Sequence, residues 1–372
     1  MNIAETIASL DPAHITIGVL GGHSALDVCE GAKRMGFKTL AVCQRGREQT
    51  YAKYFKTREN RGCIDHIILV DSFKDIVSPE VQEELRKQNT IFILSRYFWV
   101  YCDFNQIEND FSVPIYGTRH MVRLEERDVP QNQYWLLEKA GIRLPRLYDS
   151  PDQIDQPVIV KVNEATRTYE RAFFVATSPE EYQEKSAAML AAGTITEEGL
   201  KKAVIEEFII GAQVNFNFFY SVVNNELELM GTDARRQTSL DGFLRLDAGT
   251  QLELLKSGYR PSMIETGHFS VTTKESILEK AFEAGEKFVQ TTKEYSDPGI
   301  IGPFALQGAV AADKGKEEIV IFDVSMRIPG SPGTRFTPHT TYLWGRPVSY
   351  GERIAMEIRA AIEKNLLSQI LT

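Results

Sequence analysis

Two short apolar stretches, AVIEEFII at residues 203–210 and PVIVKV at residues 157–162, decide the fold of the last two-thirds of the chain. Both have the length and composition of β-strands, and both carry charges inside the apolar run. Lys161 lies within one strand, and an unpaired ammonium is costly to bury, so this lysine needs a partner or a ligand. Glu206 and Glu207 lie near the end of the other strand, just before Gly211. The two stretches therefore predict a sheet that carries a charged site.

Further strands with polar residues follow. Residues 214–223 and 226–231 resemble an antiparallel pair joined at Asn224-Asn225, and residues 302–311 and 318–324 form a second predicted pair. Gln307 and Asp323 lie on these adjacent strands, and oxygen ligands from neighbouring strands suit Mg²⁺. Arg327 follows four residues after Asp323, where its guanidinium could clamp a phosphate or a carboxylate.

Each of these residues also has a purely structural interpretation. A strand lysine can extend to the edge of a sheet, and Glu206 and Glu207 point to opposite faces, so that one of them can be solvated only. Asp323 and Arg327 could form a structural ion pair. The order of these residues along the chain is what favours a functional site.

The first third predicts a different sheet. Apolar runs at residues 15–20, 38–43, 66–70 and 89–94 alternate with helical stretches such as 25–35, which indicates parallel strands covered on both faces. Ligands of such sheets bind at the carboxyl ends of the strands. Two segments occupy these ends, Gly21-Gly22-His23-Ser24 and Ser95-Arg96-Tyr97.

Helices are predicted in the remaining chain from their start and stop signals. A basic helix start at residues 118–120 and a second helix at 132–140 form a junction, and Gly141 ends that second helix. Helices are also expected at residues 179–192 and 350–367.

Composition narrows the class of protein. The chain has 372 residues and a net charge of -9, which argues against a general nucleic-acid surface. No apolar run approaches the roughly 18 residues of a membrane helix, and the N-terminus lacks the pattern of a signal peptide. The four cysteines are widely spaced and read as reduced core thiols, so a cytoplasmic protein is expected: Cys29, Cys43, Cys63 and Cys102.

The order of these features resembles the ATP-grasp ligases, and more closely the archaeal FAICAR synthetase family, over nearly the whole chain. That family formylates aminoimidazole carboxamide ribonucleotide (AICAR) with formate and ATP in purine synthesis. The resemblance implies a Rossmann-like pre-ATP-grasp domain followed by an ATP-grasp fold, a combination of α/β and α+β structure. The matching stretches include Gly22-His23-Ser24, residues 138–145, Ile159-Val160-Lys161, Ile205-Glu206-Glu207, Asp233 with Arg235, Leu240-Asp241-Gly242, Leu306-Gln307, and Ser325 with Arg327.

The resemblance also implies roles for single residues. It places ATP on Lys161 and on the strand and hinge that contain Glu206, Glu207, Phe208 and Ile209. It implies that Gln307 and Asp323 bind Mg²⁺, with Mn²⁺ as an alternative metal. The amino-bearing ribonucleotide is expected at His23, Tyr97 and Ser239, and Arg327 is the expected catalytic residue.

Several positions depart from the family pattern. Residues 163–171 contain no glycine where the family has a glycine-rich loop over the ATP phosphates. The family reads Pro-His-Gly-Ser where this chain has Leu94-Ser95-Arg96-Tyr97, so that Tyr97 takes the place of a substrate-binding serine. Ser239 replaces an asparagine, Asp323 is one methylene shorter than the family glutamate, and Trp135 stands where the family has a lysine.

Three functions therefore stay open: a FAICAR synthetase with an altered pocket, a related carboxylate-amine ligase with other substrates, and a nucleotide- or metabolite-binding protein without catalysis. The expected domains are residues 1–115 and the ATP-grasp domain at 116–372. The latter comprises first helices at 116–150, a small subdomain at 157–210 and a C-terminal subdomain at 211–372. The expected partners are small molecules (ATP, a small carboxylate such as formate, and the ribonucleotide), and a homo-oligomer is left open.

Overall fold

The computed structural model describes residues 3–127, 129–162, 173–313, 315–330 and 335–372. Its first sheet is parallel, as the alternation of apolar runs and helices predicts, with strand order β3-β2-β1-β4-β5. The central strands are buried throughout because helices cover both faces. The strands are β1 (Thr16–Leu20), β2 (Lys38–Gln44), β3 (His66–Val70), β4 (Thr90–Ile93) and β5 (Ile115–Tyr116).

Helices precede and connect these strands. The basic helix start predicted at residues 118–120 is wrong: the chain turns there, and only a 3₁₀ helix follows, at Met121–Glu125. The buried guanidinium of Arg119 donates to backbone carbonyls, including Phe111 O at 2.7 Å, so this residue anchors the turn. The α-helices of this part are α1 (Ile3–Ala8), α2 (Ala25–Arg34), α3 (Pro79–Lys87), α4 (Arg96–Tyr101) and α5 (Gln133–Lys139).

A small antiparallel sheet contains the strands of the two charged apolar stretches at residues 157–162 and 203–210. Its strand order is β6-β9-β7-β8, and β7 and β9 are direct neighbours. The predicted strand at 203–210 is too long, because pairing ends at Glu207. The elements are β6 (Leu147–Tyr148), β7 (Val158–Lys161), β8 (Phe173–Ala176), α6 (Pro179–Ala191), α7 (Glu197–Lys201) and β9 (Val204–Glu207).

A large antiparallel sheet has the order β12-β11-β10-β13-β14. Both predicted strand pairs are present, and Asn225 adopts a positive φ of 51° at the turn between β10 and β11. β11 extends eight residues beyond its predicted end. The strands are β10 (Gly211–Ser221), β11 (Glu226–Ser239), β12 (Met263–Ser270), β13 (Gly302–Asp313) and β14 (Lys316–Ser325).

The last helices pack around this sheet. The longest of them, α10, carries an apolar stripe along one face, and this stripe packs against a core built from β10, β13 and β14. The predicted helix at 350–367 ends earlier, at Glu363, because Asn365 takes a positive φ of 55°. The helices are α8 (Leu240–Phe243), α9 (Ala248–Lys256), α10 (Glu275–Tyr295), α11 (His339–Trp344) and α12 (Tyr350–Glu363).

The contact between α2 and α12 joins the first sheet to the large sheet. A Cβ atom on Gly31 would lie 2.0 Å from the backbone nitrogen of Glu352, and one on Gly351 would lie 2.1 Å from the carbonyl oxygen of Asp27. Only glycine permits this close approach. The Asp27 carboxylate also accepts from the Gly351 backbone N–H at 2.8 Å. This packing brings the loop after β1 close to the segment that follows β14.

Other expectations concern the cysteines and membranes. All four cysteines are buried and free, as expected for core thiols. Among the described residues, no helix combines the length and the apolar character needed to cross a membrane.

Candidate active site

A row of polar side chains crosses the large sheet. Asp323 on β14 is the register partner of Gln307 on β13, which pairs with Asn215 on β10, which pairs with Asp233 on β11. Register partners on antiparallel strands point to the same face, so the row presents carboxylate and amide groups side by side. Two of the four, Gln307 and Asp323, are the predicted metal ligands.

A β-bulge shapes the row at Asp323. Gln307 pairs with Asp323, but Gly308 pairs with Ile321, so Phe322 is an extra residue without a partner on β13. The strands are tightly packed here, since a Cβ atom on Gly308 would lie 2.2 Å from the carbonyl oxygen of Val320. The bulge directs Phe322 toward the small sheet, where its ring centre lies 5.8 Å from the Lys161 ammonium.

Arg235 places a cation between the predicted metal ligands. Its Nη2 donates to Gln307 Oε1 and lies 4.0 Å from Asp323 Oδ2. Its Nε lies 3.3 Å from the Glu265 carboxylate, so the same guanidinium also contacts β12. The Arg235 guanidinium therefore lies between the two oxygens that are the predicted metal ligands.

His268 links the carboxylates of β11 and β12. Its Nδ1 contacts Asp233 Oδ2, and its Nε2 lies 3.0 Å from Glu265 Oε1. Burial alone would lower the pKa of His268, but these two hydrogen bonds outweigh burial and raise it to about 9. His268 is therefore an imidazolium at neutral pH. Asn217 Nδ2 donates to the other Asp233 oxygen at 2.5 Å, so that the Asp233 carboxylate is held from several sides.

A buried network surrounds Lys161. Lys161 forms an ion pair with Glu206, and the Tyr134 hydroxyl donates to Glu206 Oε2 at 2.9 Å. Arg127 Nε donates to the Tyr134 hydroxyl at 3.0 Å, and its Nη2 lies 3.7 Å from Asp323 Oδ1. The network therefore connects the small sheet to the row on the large sheet. Burial lowers the pKa of Lys161, against the opposing effect of Glu206.

The residues after Glu206 behave differently from it. Glu207 accepts the Arg146 backbone N–H at 3.0 Å and pairs with Arg143 at 3.2 Å, on the outer side of the strand. Phe208 is 40% exposed and Ile209 is partly buried, both beyond the end of β9. The backbone N–H of Phe208 donates to Pro157 O at 2.9 Å, which holds this segment beside β7. Phe208 and Ile209 therefore present partly exposed apolar side chains beside the Lys161 network.

A cavity with about 350 Å³ of empty space, part of it open to solvent, lies between the first sheet and the large sheet. It collects residues from both: His23 and Arg96 from the first, and Gln307, Asp233 and Arg235 from the second. The rest of its lining is Asn215, Asn217, Glu265, His268, Ala305, Ser325, Arg327, Pro329 and Gly330. Of the predicted site residues, His23, Gln307 and Arg327 therefore meet in one place.

His23 reaches this cavity from the loop after β1. A Cβ atom on Gly330 would lie 2.0 Å from its Nε2, so the ring packs directly on that glycine. Ser24 contacts His23 Nδ1 at 3.2 Å and donates to Pro329 O at 3.1 Å. Burial, with a further effect of Arg327, lowers the pKa of His23 to about 3. His23 is therefore a neutral hydrogen-bonding group. The Tyr97 ring lies close, 6.5 Å from the His23 ring between centres.

Arg327 lies on the cavity wall and is largely shielded from solvent. It lies 3.6 Å from the Glu125 carboxylate, and its guanidinium stacks on Trp99 at 5.3 Å. Asp323 itself lies 3.7 Å from the Arg127 guanidinium and 4.0 Å from that of Arg235. Burial raises the pKa of Glu125 to about 7, although Arg327 opposes the shift.

Ser239 lies apart from the other predicted residues. Its hydroxyl accepts the Ser262 backbone N–H at 2.6 Å at the far end of β11, and it does not line the cavity. Ser239 is six positions beyond Asp233 on the same strand, a distance on the order of 20 Å. Residues 163–171, which contain no glycine where the family has a glycine-rich loop, lie outside the described residues.

Sequence reasoning overlooked several residues of the site: Arg127, Tyr134, Glu125, Glu265 and His268. The sequence does carry a signal for Glu265 and His268. They stand three residues apart in a polar stretch without apolar alternation, which is typical of a site and not of a core strand. Arg127 and Tyr134 approach Lys161 only through tertiary folding, so no local pattern marks them.

Solved structures of ATP-grasp enzymes share this fold. The structure of an IMP biosynthesis protein PurP from Thermococcus kodakaraensis aligns over 96% of this chain and 100% of its own, with a TM-score of 0.68 and 24% identity. The N5-carboxyaminoimidazole synthetase of Staphylococcus aureus, solved with ADP, aligns over 93% and 77% with a TM-score of 0.58 and 13% identity. The fold is therefore that of the ATP-grasp proteins, built from parallel and antiparallel sheets.

Sequence relatives define the family. The 5-formaminoimidazole-4-carboxamide-1-(beta)-D-ribofuranosyl 5'-monophosphate synthetases of Methanothermobacter thermautotrophicus and Methanopyrus kandleri are 41% and 38% identical to this chain. Each match covers 100% of this chain and 98% of the relative. A domain of unknown function (DUF1297) matches residues 181–372, and a protein family of unknown function (DUF1246) matches residues 17–148. The chain belongs to the FAICAR synthetase family, which confirms the resemblance drawn from the sequence.

Proposed function

We propose that this protein joins formate to the amine of AICAR with ATP, through a formyl phosphate, in purine biosynthesis. One observation carries the proposal. The buried network around Lys161 contacts the row that contains Asp323 and Gln307, beside a cavity with cationic walls. The full-length relatives named as synthetases of the formylated product support the choice of substrates.

In this proposal ATP lies between the small and large sheets. Lys161 exchanges its contact with Glu206 for a phosphate oxygen, and the adenine packs against the segment containing Phe208 and Ile209. The strand order of the first sheet supports a Rossmann-like pre-ATP-grasp domain at 1–115, with the ATP-grasp domain at 116–372.

Gln307 and Asp323 fit a magnesium ion by their chemistry. Both offer oxygen ligands from neighbouring strands, and both oxygens already face one cation, the Arg235 guanidinium. Bound there, Mg²⁺, or Mn²⁺ in its place, would neutralise the charge of the ATP phosphates. Arg235 would release these two oxygens when the metal ion binds, and it would keep its contact with Glu265.

The reaction needs no protein nucleophile. A formate oxygen bonds to the γ-phosphorus as the bond from phosphorus to the ADP oxygen breaks. The AICAR amine then attacks the formyl carbon, the bond from carbon to the phosphate oxygen breaks, and the amine loses a proton. Neutral His23 and nearby Tyr97 hold the ribonucleotide, and Arg327 supplies positive charge to the anionic groups bound in the cavity. Positioning and exclusion of water carry the catalysis.

An ADP-release assay tests the proposal. The complete mixture contains ATP, Mg²⁺, formate and AICAR, and each component is omitted in turn. We expect ADP release that equals formylated product and that falls to background with any omission. ADP release with another amine but not with AICAR would favour a related ligase, and no release with any acceptor would favour a binding protein.

A further inference from the structure

The charges that line the cavity do not balance. Among the described residues, the lining contains four cations: Arg96, Arg235, Arg327 and the His268 imidazolium. Two carboxylates also line it, and both are engaged, since Asp233 contacts His268 and Glu265 contacts His268 and Arg235. Arg96 and Arg327 are therefore the two cations that no carboxylate of the cavity lining neutralises.

Arg327 has unused capacity to donate hydrogen bonds. Its side chain is 9% exposed, and it lies 3.6 Å from the Glu125 carboxylate, which is too long for a hydrogen bond. Its Nε is buried without a hydrogen-bond partner among the described residues. Leaving a buried charged donor unpaired is costly, so this guanidinium suits an anion that enters the cavity.

Arg96 stands next to Arg327. It begins α4, and Trp99, on which Arg327 stacks, lies three residues further along the same helix, on the same side. Arg96 is exposed at the cavity mouth, and within the described parts of the chain no hydrogen bond or ion pair of its guanidinium is found. The pKa of Arg96 is lowered, first because the groups around it exclude solvent and then because Arg327 and Arg235 repel its charge. An anion between the guanidinium groups would relieve this repulsion.

We infer that Arg96 and Arg327 form a clamp of two guanidinium groups for a phosphate monoester, the dianionic group of the amine substrate, and that Arg96 determines specificity for it. This inference rests on the proposed function. Two guanidinium groups neutralise one dianion, and their planar forks match phosphate oxygens.

Two sources could supply this phosphate group: the monoester of the ribonucleotide, or the phosphate released in the reaction. A comparison of AICAR with its riboside, which lacks the phosphate, separates them. For Arg96→Gln we expect the KM for AICAR to rise about tenfold to a hundredfold, the scale of a lost charge-assisted contact. The kcat, and the kcat/KM for the riboside, should stay near the wild-type values. Arg96→Lys should fall between, because it keeps the charge but loses the fork.

Arg61→Gln, which removes an exposed arginine before β3, serves as the control and should leave both substrates unaffected. Equal losses with AICAR and the riboside, or no loss with either, would overturn the clamp. A second measurement needs no turnover: inorganic phosphate should raise the melting temperature of the wild type more than that of Arg96→Gln. If the wild type forms no product from AICAR, the proposed function fails. Equal phosphate-dependent shifts in the two proteins would then still refute the clamp.

Discussion

The Lys161 ammonium and the Glu206 carboxylate form an ion pair at the point where the small sheet meets the large one. The pair is nearly closed to solvent, with side-chain exposures of 15% and 2%. A buried charge pair is a weak source of stability, because desolvation offsets much of the attraction. Its position beside Asp323 and Phe322 instead suits a lysine that changes partner when a nucleotide binds.

Replacing Lys161 with alanine should weaken ATP binding by about 1–3 kcal/mol, the scale of a lost charge-assisted hydrogen bond. The measurement is calorimetric titration with a non-hydrolysable ATP analogue. Lys202→Ala is a matched control, since it removes a lysine of an exposed ion pair in the same subdomain. Unchanged affinity in a folded Lys161→Ala protein would exclude Lys161 from the nucleotide site.

Asp323→Asn should sharply reduce ATP turnover, with partial recovery at higher Mg²⁺ or with Mn²⁺, because the change removes the charge of a metal ligand but keeps its oxygen. Asp323→Glu should retain activity, since it keeps the carboxylate charge and lengthens the side chain by only one methylene. Turnover of Asp323→Asn at the wild-type rate would show that this carboxylate binds no metal.

His23→Ala should raise the KM for AICAR or abolish turnover, while affinity for the ATP analogue stays at the wild-type value. The reason is position: His23 lines the cavity from the loop after β1, whereas Lys161 lies on β7 of the small sheet and does not line it. The two affinities can be measured separately by kinetics and calorimetry. A parallel loss of both would indicate a folding defect.

The pairing of His268 should leave a pH signature in stability. Its pKa is raised to about 9 in the folded protein, above the ordinary value of 6.5. A raised pKa contributes stability that is fully present below pH 6.5 and is lost as the pH rises through about 9. The pKa values of its partners Glu265 and Asp233 are lowered, that of Glu265 to about 2, so their contribution is lost only in acid.

The difference in melting temperature between the wild type and His268→Asn should therefore be largest near pH 5 to 6.5 and should shrink by pH 9 or above. Thermal unfolding across this range measures it. A difference that does not change with pH would mean that His268 is neutral in the folded protein.

The sequence predicted the parallel sheet from short apolar runs separated by helices, and both strand pairs from apolar stretches joined by polar turns, because these patterns follow the buried core. The part of β11 beyond Gly231 was not predicted. Residues there, such as Asp233 and Arg235, line the site and interrupt the apolar pattern of the strand. Helix α10 was overlooked, although Ile277, Ala281 and Phe288 repeat at helical spacing.

The candidate site was predictable where strands carry it. Gln307 and Asp323 pair in register because both positions lie on neighbouring strands of known direction. The contact of Arg127 with Asp323 could not be predicted, since it joins residues that are distant in sequence and carry no periodic pattern. The domain boundary near residue 115 and the roles of the single site residues stay predictions.

The most direct test of the central claim uses formate labelled with ¹⁸O. If formate attacks ATP and AICAR then takes the formyl group, one formate oxygen must leave in the inorganic phosphate. We expect one labelled oxygen per released phosphate, in step with formylated product, and we expect Asp323→Asn to lower both together. Released phosphate without the label, in a reaction that does form product, would contradict the formyl phosphate route.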